Sequence, residues 1–163
     1  MTDASFADGD PDAHRLALRA DDAEGLAVIS TLMQDAVGKT VDTSWMPTRR
    51  IFALVVNRFR WEQEAGPDGD DGEEAWERCR CGLHAENVLA VRATGFDPAK
   101  AQEVFELLAI TFEPGEDGTG TLKLDCAGGA TFALDVEALD VRMADMDATW
   151  KTGIKPRHEE DAP

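Results

Sequence analysis

The sequence lacks long apolar runs, and its first residues do not resemble those of a secreted protein. No window comes near the ~18 consecutive apolar residues that a membrane-spanning helix needs. Residues 1–12 are acidic and contain neither a basic start nor an apolar stretch, so they do not form a secretory signal. We therefore expect a cytoplasmic protein that has no membrane partner.

Basic side chains are scarce. The 163 residues include 16 lysines and arginines against 33 aspartates and glutamates, which gives a formal net charge of -17. A charge of this sign repels phosphate backbones and anionic membrane surfaces. The composition therefore argues against a nucleic-acid partner, unless the few cations are gathered in one place.

Cysteine is rare and its number, three, is odd, which argues against a disulfide framework. The segment from Cys79 through Cys81 to His84 contains the ligand types that zinc prefers. On a strand, however, both cysteines point to one face and His84 points to the other. Cys126 could supply a third ligand at best, and buried thiols that fill a core explain the pattern better. We expect reduced cysteines, no metal and no cofactor.

Signatures of catalysis are missing as well. The sequence has no Gly-x-Ser-x-Gly motif, and of its three histidines His14 and His158 lie in or beside the predicted tails. That leaves His84 as the one candidate general base, with no nucleophile beside it. The glycine-rich run 115–120 lies between two predicted strands, which favours a hairpin loop over a phosphate-binding loop. The sequence assigns no catalytic residue and favours a non-enzymatic role, with an enzyme as the alternative.

Two pairs of similar passages suggest an internal repeat. The paired passages are Leu16–Ala20 (LALRA) with Leu89–Ala93 (LAVRA), and Phe52–Val56 (FALVV) with Phe132–Val136 (FALDV). A repeat of this length predicts two strand-helix-strand-strand units, over residues 14–61 and 88–141, that share one core.

The hydrophobic pattern predicts one α+β domain over residues 14–147. Asp21 or Asp22 begins a helix that Gly38 ends, and Asp97-Pro98 begins a second helix. The apolar stripe of that second helix consists of Val104, Phe105, Leu107 and Leu108. The other segments alternate and have short links, which is typical of antiparallel pairing. We expect a mostly antiparallel sheet or an open barrel, with both helices packed against it.

Three polar segments are predicted to lie outside the core. Residues 1–13 are acidic and predicted to be disordered, and residues 148–163 form a flexible C-terminal tail. Residues 62–74 are rich in acidic side chains and glycine, which predicts a mobile loop between two strands.

Arginines are concentrated around this acidic loop. Arg58 and Arg60 share one face of the strand before it, and Arg78 and Arg80 share one face of the strand after it. If the two strands pair across the loop, the four side chains line one surface, with Trp61 and Trp76 nearby. We call these six residues the arginine patch.

The arginine patch leads to two functional hypotheses, because guanidinium groups suit carboxylates and phosphates. The first is a non-enzymatic interaction module that binds the acidic face of a protein partner or forms a homodimer. The second is a binder of, or an enzyme acting on, a small anionic metabolite, which requires a concave pocket under the arginines. Alternatively, the patch is a solvated sheet face without function, or the acidic loop 62–74 covers it.

Four stretches carry a family resemblance. They are Leu26–Ala36 (LAVISTLMQDA), Arg50–Trp61 (RIFALVVNRFRW), Phe112–Gly118 (FEPGEDG) and Val136–Val141 (VEALDV). With these stretches the chain resembles the bacterial domain-of-unknown-function 2948 family over nearly all of residues 14–147. The resemblance implies membership of that family, and it carries over no activity, catalytic residue or binding residue.

Overall fold

The computed structural model describes residues 15–61, 77–100, 102–146 and 150–151. The predicted N-terminal segment 1–13, the acidic loop 62–74 and Trp76 lie outside these residues. The predicted tail 148–163 lies outside them too, apart from residues 150–151.

Strands form most of the described chain, and a single α-helix, α1 (Ala23–Leu32), is found there. The ten strands are β1 (Ala17–Ala20), β2 (Val37–Met46), β3 (Ile51–Phe59), β4 (Glu77–Ala85), β5 (Val88–Thr94), β6 (Val104–Pro114), β7 (Gly120–Cys126), β8 (Thr131–Val136), β9 (Val141–Asp145) and β10 (Trp150–Lys151). No helix in these ranges is long and apolar enough to cross a membrane.

Nine of the strands form one sheet in the order β1-β9-β4-β3-β2-β6-β7-β8-β5, and β10 pairs with β4 beside this path. Every pairing is antiparallel. The predicted antiparallel sheet is therefore confirmed. The sheet is not closed, because β1 and β5 lie at its two ends and do not pair with each other.

Helix α1 begins where its sequence predicts. The Asp22 carboxylate accepts a hydrogen bond from the Gly25 N–H at 2.7 Å, which is an N-cap. Leu26 and Ile29 lie on the buried face and join the core. The helix ends at Leu32, well before the predicted stop at Gly38, which lies in β2.

The predicted second helix is wrong. Asp97 starts a single turn in which its carbonyl accepts the Lys100 N–H, and strand β6 follows. A β-bulge in β6 shifts the register between Leu107 and Ala109, and a bulge adds one residue that has no partner. The buried positions therefore change from odd to even numbers, and the resulting spacing of apolar residues resembles that of a helix. Val104 and Leu108, assigned to the apolar stripe, are exposed.

The predicted duplication is not confirmed either. The first predicted repeat unit folds as strand, helix, strand, strand, whereas the second unit contains four strands, β5 to β8. Phe52–Val56 lies in β3 between β2 and β4, but Phe132–Val136 lies in β8 between β7 and β5. The similar strings reflect the apolar, β-branched and aromatic composition that strands share, and they do not occupy equivalent places in the sheet.

The two halves of the sheet share one hydrophobic core. The ring centroid of Phe132 in β8 lies 5.4 Å from that of Phe52 in β3 and 5.4 Å from that of Phe105 in β6. Phe96, in the segment between β5 and β6, lies 4.7 Å from Phe132. Because aromatic pairs at these distances attract one another beyond their simple burial, this cluster joins strands that are far apart in the sheet order.

Candidate functional site

The four predicted arginines do not line one face of the sheet. Strands β3 and β4 pair as expected, but Arg58 lies opposite Cys79 and Phe59 lies opposite Arg78. Since opposite residues of neighbouring strands point to the same side, Arg58 lies on the core side and Arg78 and Arg80 lie on the outer side. Alternation determines which residues of one strand share a face. Register determines which face of the next strand they join, and a shift of one residue places them with the opposite set.

Three of the four arginines are also buried. The exposed fraction is 0% for Arg58, 3% for Arg60 and 2% for Arg78, whereas Arg80 is exposed. The Cζ atom of Arg78 lies 5.0 Å from the ring centroid of Phe59, which is a cation–π distance. Of the four arginines, only Arg80 is therefore exposed on a sheet face.

Of the two predicted tryptophans, Trp61 is half-buried at the end of β3. Its Nε1–H donates a hydrogen bond to the carbonyl of Gln34 at 2.9 Å, which ties β3 to the segment after α1. A tryptophan held in this way covers the edge of the hydrophobic core with its ring while its N–H remains hydrogen-bonded. Trp76 and the acidic loop lie outside the described residues.

The buried Arg58 forms an ion pair that holds three strands together. Its Nε and Nη2 donate to the two carboxylate oxygens of Asp145 in β9, each at 2.9 Å, and both side chains are fully buried. Asp145 also accepts the Leu16 N–H at 3.1 Å. Burial raises the pKa of Asp145, but the hydrogen bonds and charge of Arg58 outweigh burial, so this pKa lies below its ordinary value. The carboxylate is ionised, and the pair is structural.

All three cysteines are buried and free, as expected. Burial is the largest of the effects that raise the pKa of Cys79 to about 12 and of Cys126 to about 11, and it also raises the pKa of Cys81. Because the thiolate is the reactive form, none of these thiols is a nucleophile near neutral pH. The predicted alternation is observed, since Cys79 and Cys81 are buried and His84 is half-exposed beside Glu86, 3.2 Å away.

A cleft of about 220 Å³ lies next to Arg80, on the outer face where β2, β3 and β6 meet. Its lining consists of Val37, Gly38, Lys39, Asp42, Val55, Val56, Asn57, Arg80 and Val104. We call it the β2 cleft. It combines two cationic side chains, one carboxylate and one amide with an apolar floor, which is the composition of a small-molecule site.

An irregularity in β2 creates the β2 cleft. Gly38 pairs with Val56 and Thr43 pairs with Leu54, so residues 39–42 lie opposite the single residue Val55. The extra residues leave the ladder, as in a special bulge with more than one inserted residue. Thr40 anchors them to the chain before β6, because its N–H donates to the Glu103 carbonyl at 2.8 Å. The bulge therefore stands away from β3 and forms one wall of the cleft.

Gly38 is required where the cleft begins. A Cβ atom at this position would lie 2.8 Å from side-chain atoms of Phe105 and Val56. We expect Gly38→Ala to lower the free energy of unfolding by about 1–3 kcal/mol, as overpacked positions do, in a urea titration. The matched control is Gly82→Ala in β4, where the nearest atom would be Met146 Sδ at 3.6 Å. Equal stability of the two variants would contradict this packing.

Three polar side chains of the β2 cleft have no partner among the described residues. Across residues 15–61, 77–100, 102–146 and 150–151, the side chains of Lys39, Asp42 and Asn57 make no hydrogen bond or ion pair. Elsewhere in the same ranges, exposed cations such as Arg92 and Lys123 do pair with carboxylates. Unused donors and acceptors that converge on one cleft are available to a ligand.

Sequence reasoning missed Lys39, Asp42 and Asn57. Lys39 and Asp42 both fall in β2, and simple alternation along a strand places them on opposite faces. The bulge, which brings both into one cleft, has no sequence signal of its own. Asn57 adjoins Arg58 in the polar end of β3, and that change from apolar to polar residues was the one available sign.

The described residues hold no group of three or more His, Cys, Asp or Glu side chains placed to bind a metal ion. In the Cys79–His84 segment, the strand geometry separates the cysteines from His84.

Comparisons with known proteins identify the family. No curated protein and no solved structure matches the chain. Residues 16–158 match the family described as "Protein of unknown function (DUF2948)", which agrees with the resemblance seen in the sequence. Since the match covers most of the 163 residues, the chain belongs to the DUF2948 family.

Proposed function

We propose that this protein binds a small molecule that carries an anionic group, in the β2 cleft. The observation that carries the proposal is the convergence of Lys39, Arg80 and Asn57 on one concave site, in a chain whose net charge is -17. An ammonium, a guanidinium and an amide together suit a carboxylate or a phosphate. Such a group would meet cations here although the molecule as a whole repels it.

The size of the cleft restricts the ligand. Its volume of about 220 Å³ is below the roughly 300–1,000 Å³ of pockets that enclose drug-sized molecules. A metabolite with a single anionic group fits this volume better than a nucleotide or a chain segment does. The proposal includes no chemical step.

The alternative hypothesis, an interaction module that uses the arginine patch, has less support. It needs four guanidinium groups on one accessible face, and three of the four are buried, on two faces. The ligand-binding hypothesis needs a concave pocket under the arginines, and the β2 cleft supports it through Arg80 alone of the four. A partner protein or a homodimer remains a prediction without an assigned surface.

The proposal predicts a charge-dependent change in thermal stability. Inorganic phosphate and a set of small carboxylates should include at least one compound that raises the Tm of the protein, since a ligand bound to the folded state alone stabilises it. Lys39→Met should lower the affinity for that compound by about tenfold or more, as expected when a charge-assisted hydrogen bond worth about 1.4 kcal/mol or more is lost.

The matched control is Lys123→Met in β7. Lys123 is paired with Glu113 at 2.9 Å and does not line the cleft, so its loss removes the same charge elsewhere. This variant should bind like the wild type. The proposal fails if no compound raises the Tm, or if Lys39→Met and Lys123→Met bind equally well.

A further inference from the structure

We infer that the ligand of the β2 cleft is an aliphatic α-amino acid, a zwitterion whose carboxylate faces the cations and whose ammonium faces a carboxylate of the protein. The inference rests on the proposed function, and it narrows the ligand from any small anion to a class with two opposite charges and an apolar side chain.

Asp42 is the first reason. Its carboxylate lines the same cleft as Lys39 and lies on the same bulge, yet the two form no ion pair. A purely anionic ligand bound between Lys39 and Arg80 would meet the like charge of Asp42, which is unfavourable. A ligand that also carries an ammonium group would instead form a charge-assisted hydrogen bond with Asp42.

The order of charges across the sheet is the second reason. Register places Arg80 of β4, Asn57 of β3, Val37 of β2 and Glu106 of β6 side by side in one row on the outer face. The row therefore runs from a cation through an amide and an apolar residue to a carboxyl group. Such an arrangement complements a dipolar ligand better than a ligand of one charge.

A second carboxyl group reinforces the acidic end of this row. Burial, followed by a hydrogen bond with Asp35 and the charge of Asp35, raises the pKa of Glu106. Glu106 and Asp35 do not line the β2 cleft, so they act on a bound ligand only through their charge at the far end of the row. This end of the row is unsuited to an anion.

The apolar residues of the cleft are the third reason. Val37, Val55 and Val104 line it, and Val104 has an exposed fraction of 59% although it is a large hydrophobic residue. With Val56, which also lines the cleft, four valines offer a branched aliphatic surface without an aromatic ring or a hydroxyl group. Covering that surface with an aliphatic side chain removes apolar area from water on both molecules, which favours binding.

The test titrates the full-length chain with three small molecules of similar shape. L-leucine carries both charges, 4-methylpentanoate lacks the ammonium group and 3-methylbutylamine lacks the carboxylate. In isothermal titration calorimetry, we expect L-leucine to bind about tenfold or more tightly than either analogue, because each missing charge removes a charge-assisted hydrogen bond. Asp42→Asn should abolish the advantage of L-leucine over 4-methylpentanoate, while Lys39→Met should weaken both of these probes.

The control variant is Glu116→Gln, which removes one carboxylate from the turn between β6 and β7 and should leave all affinities unchanged. Equal binding of L-leucine and 4-methylpentanoate to the wild type would overturn the amino-acid inference and leave the proposed function in place. Absence of binding by all three probes would also overturn the inference, whereas the proposed function is judged separately by the phosphate and carboxylate set. An unchanged preference for L-leucine in Asp42→Asn would overturn the role of Asp42.

Discussion

Arg58→Met is expected to lower the free energy of unfolding by about 3–5 kcal/mol, because removing one partner of a buried ion pair leaves the other charge without compensation. The Arg58 and Asp145 side chains are fully buried and joined by two hydrogen bonds of 2.9 Å. A urea titration at neutral pH measures the change. The control is Arg92→Met, since the Arg92–Asp135 pair is largely exposed and pairs of that kind contribute about 0–1 kcal/mol.

If the uncompensated charge causes the loss of stability in Arg58→Met, the size of this loss must depend on pH in a definite direction. In the wild type the pKa of Asp145 lies below its ordinary value of 3.8, so its contribution to stability is present above this pH and is lost as the pH falls below it. In Arg58→Met the effects of Arg58 that lower this pKa are lost while burial remains, so the pKa of Asp145 rises relative to the wild type. The difference in stability between variant and wild type should therefore shrink as the pH falls from neutrality toward 3.8.

Two further results would distinguish charge from packing. Adding Asp145→Asn to Arg58→Met should recover part of the lost stability, because the buried carboxylate is then neutral while its acceptor for the Leu16 N–H is kept. If Arg58→Met costs no more than Arg92→Met, the ion pair does not hold β1, β3 and β9 together. If the deficit of Arg58→Met grows on acidification, charge is not its cause.

Phe132→Ala is expected to lower the free energy of unfolding by about 3–5 kcal/mol, the range for a buried phenylalanine replaced by alanine. Phe132 is 4% exposed and contacts the rings of Phe52, Phe96 and Phe105. Since these contacts join both halves of the sheet, we expect the wild type and the variant each to unfold in one calorimetric transition. The control, Phe112→Ala, truncates a half-buried ring and should cost less.

Two separate transitions, or a loss for Phe132→Ala no larger than for Phe112→Ala, would contradict the single shared core. A double-mutant cycle with Phe52→Ala adds a direct measure, because residues in contact show a coupling energy of about 0.5–3 kcal/mol. Coupling near zero would mean that β3 and β8 do not support each other across the core.

Local sequence patterns predicted most of the strands and helix α1 of this fold, and they failed where a bulge changed the period. Burial alternates along β3, β7 and β8, and a period of two is a direct consequence of strand geometry. In β6 the bulge near Leu107 shifts the buried positions by one residue. A short apolar run with such a shift cannot be distinguished from a helix by periodicity alone.

The candidate site was harder to predict because it depends on register between strands. Pairing of β3 with β4 was foreseen from their order in the chain, but the offset that places Arg58 beside Cys79 is fixed by long-range packing. The partner of Arg58 is Asp145, 87 positions away in sequence, and no local pattern indicates it. Of the arginine patch, Arg80 alone lines the β2 cleft.

The most direct test of ligand binding in the β2 cleft is an NMR titration of the ¹⁵N-labelled full chain, with inorganic phosphate and L-leucine added in separate experiments. Binding in the cleft predicts amide shifts that saturate with at least one of them, concentrated at residues 37–42, 55–57, 80 and 104 and absent from Lys39→Met at the same concentrations. Saturating shifts confined to other parts of the sheet, or no shifts with either compound, would contradict it.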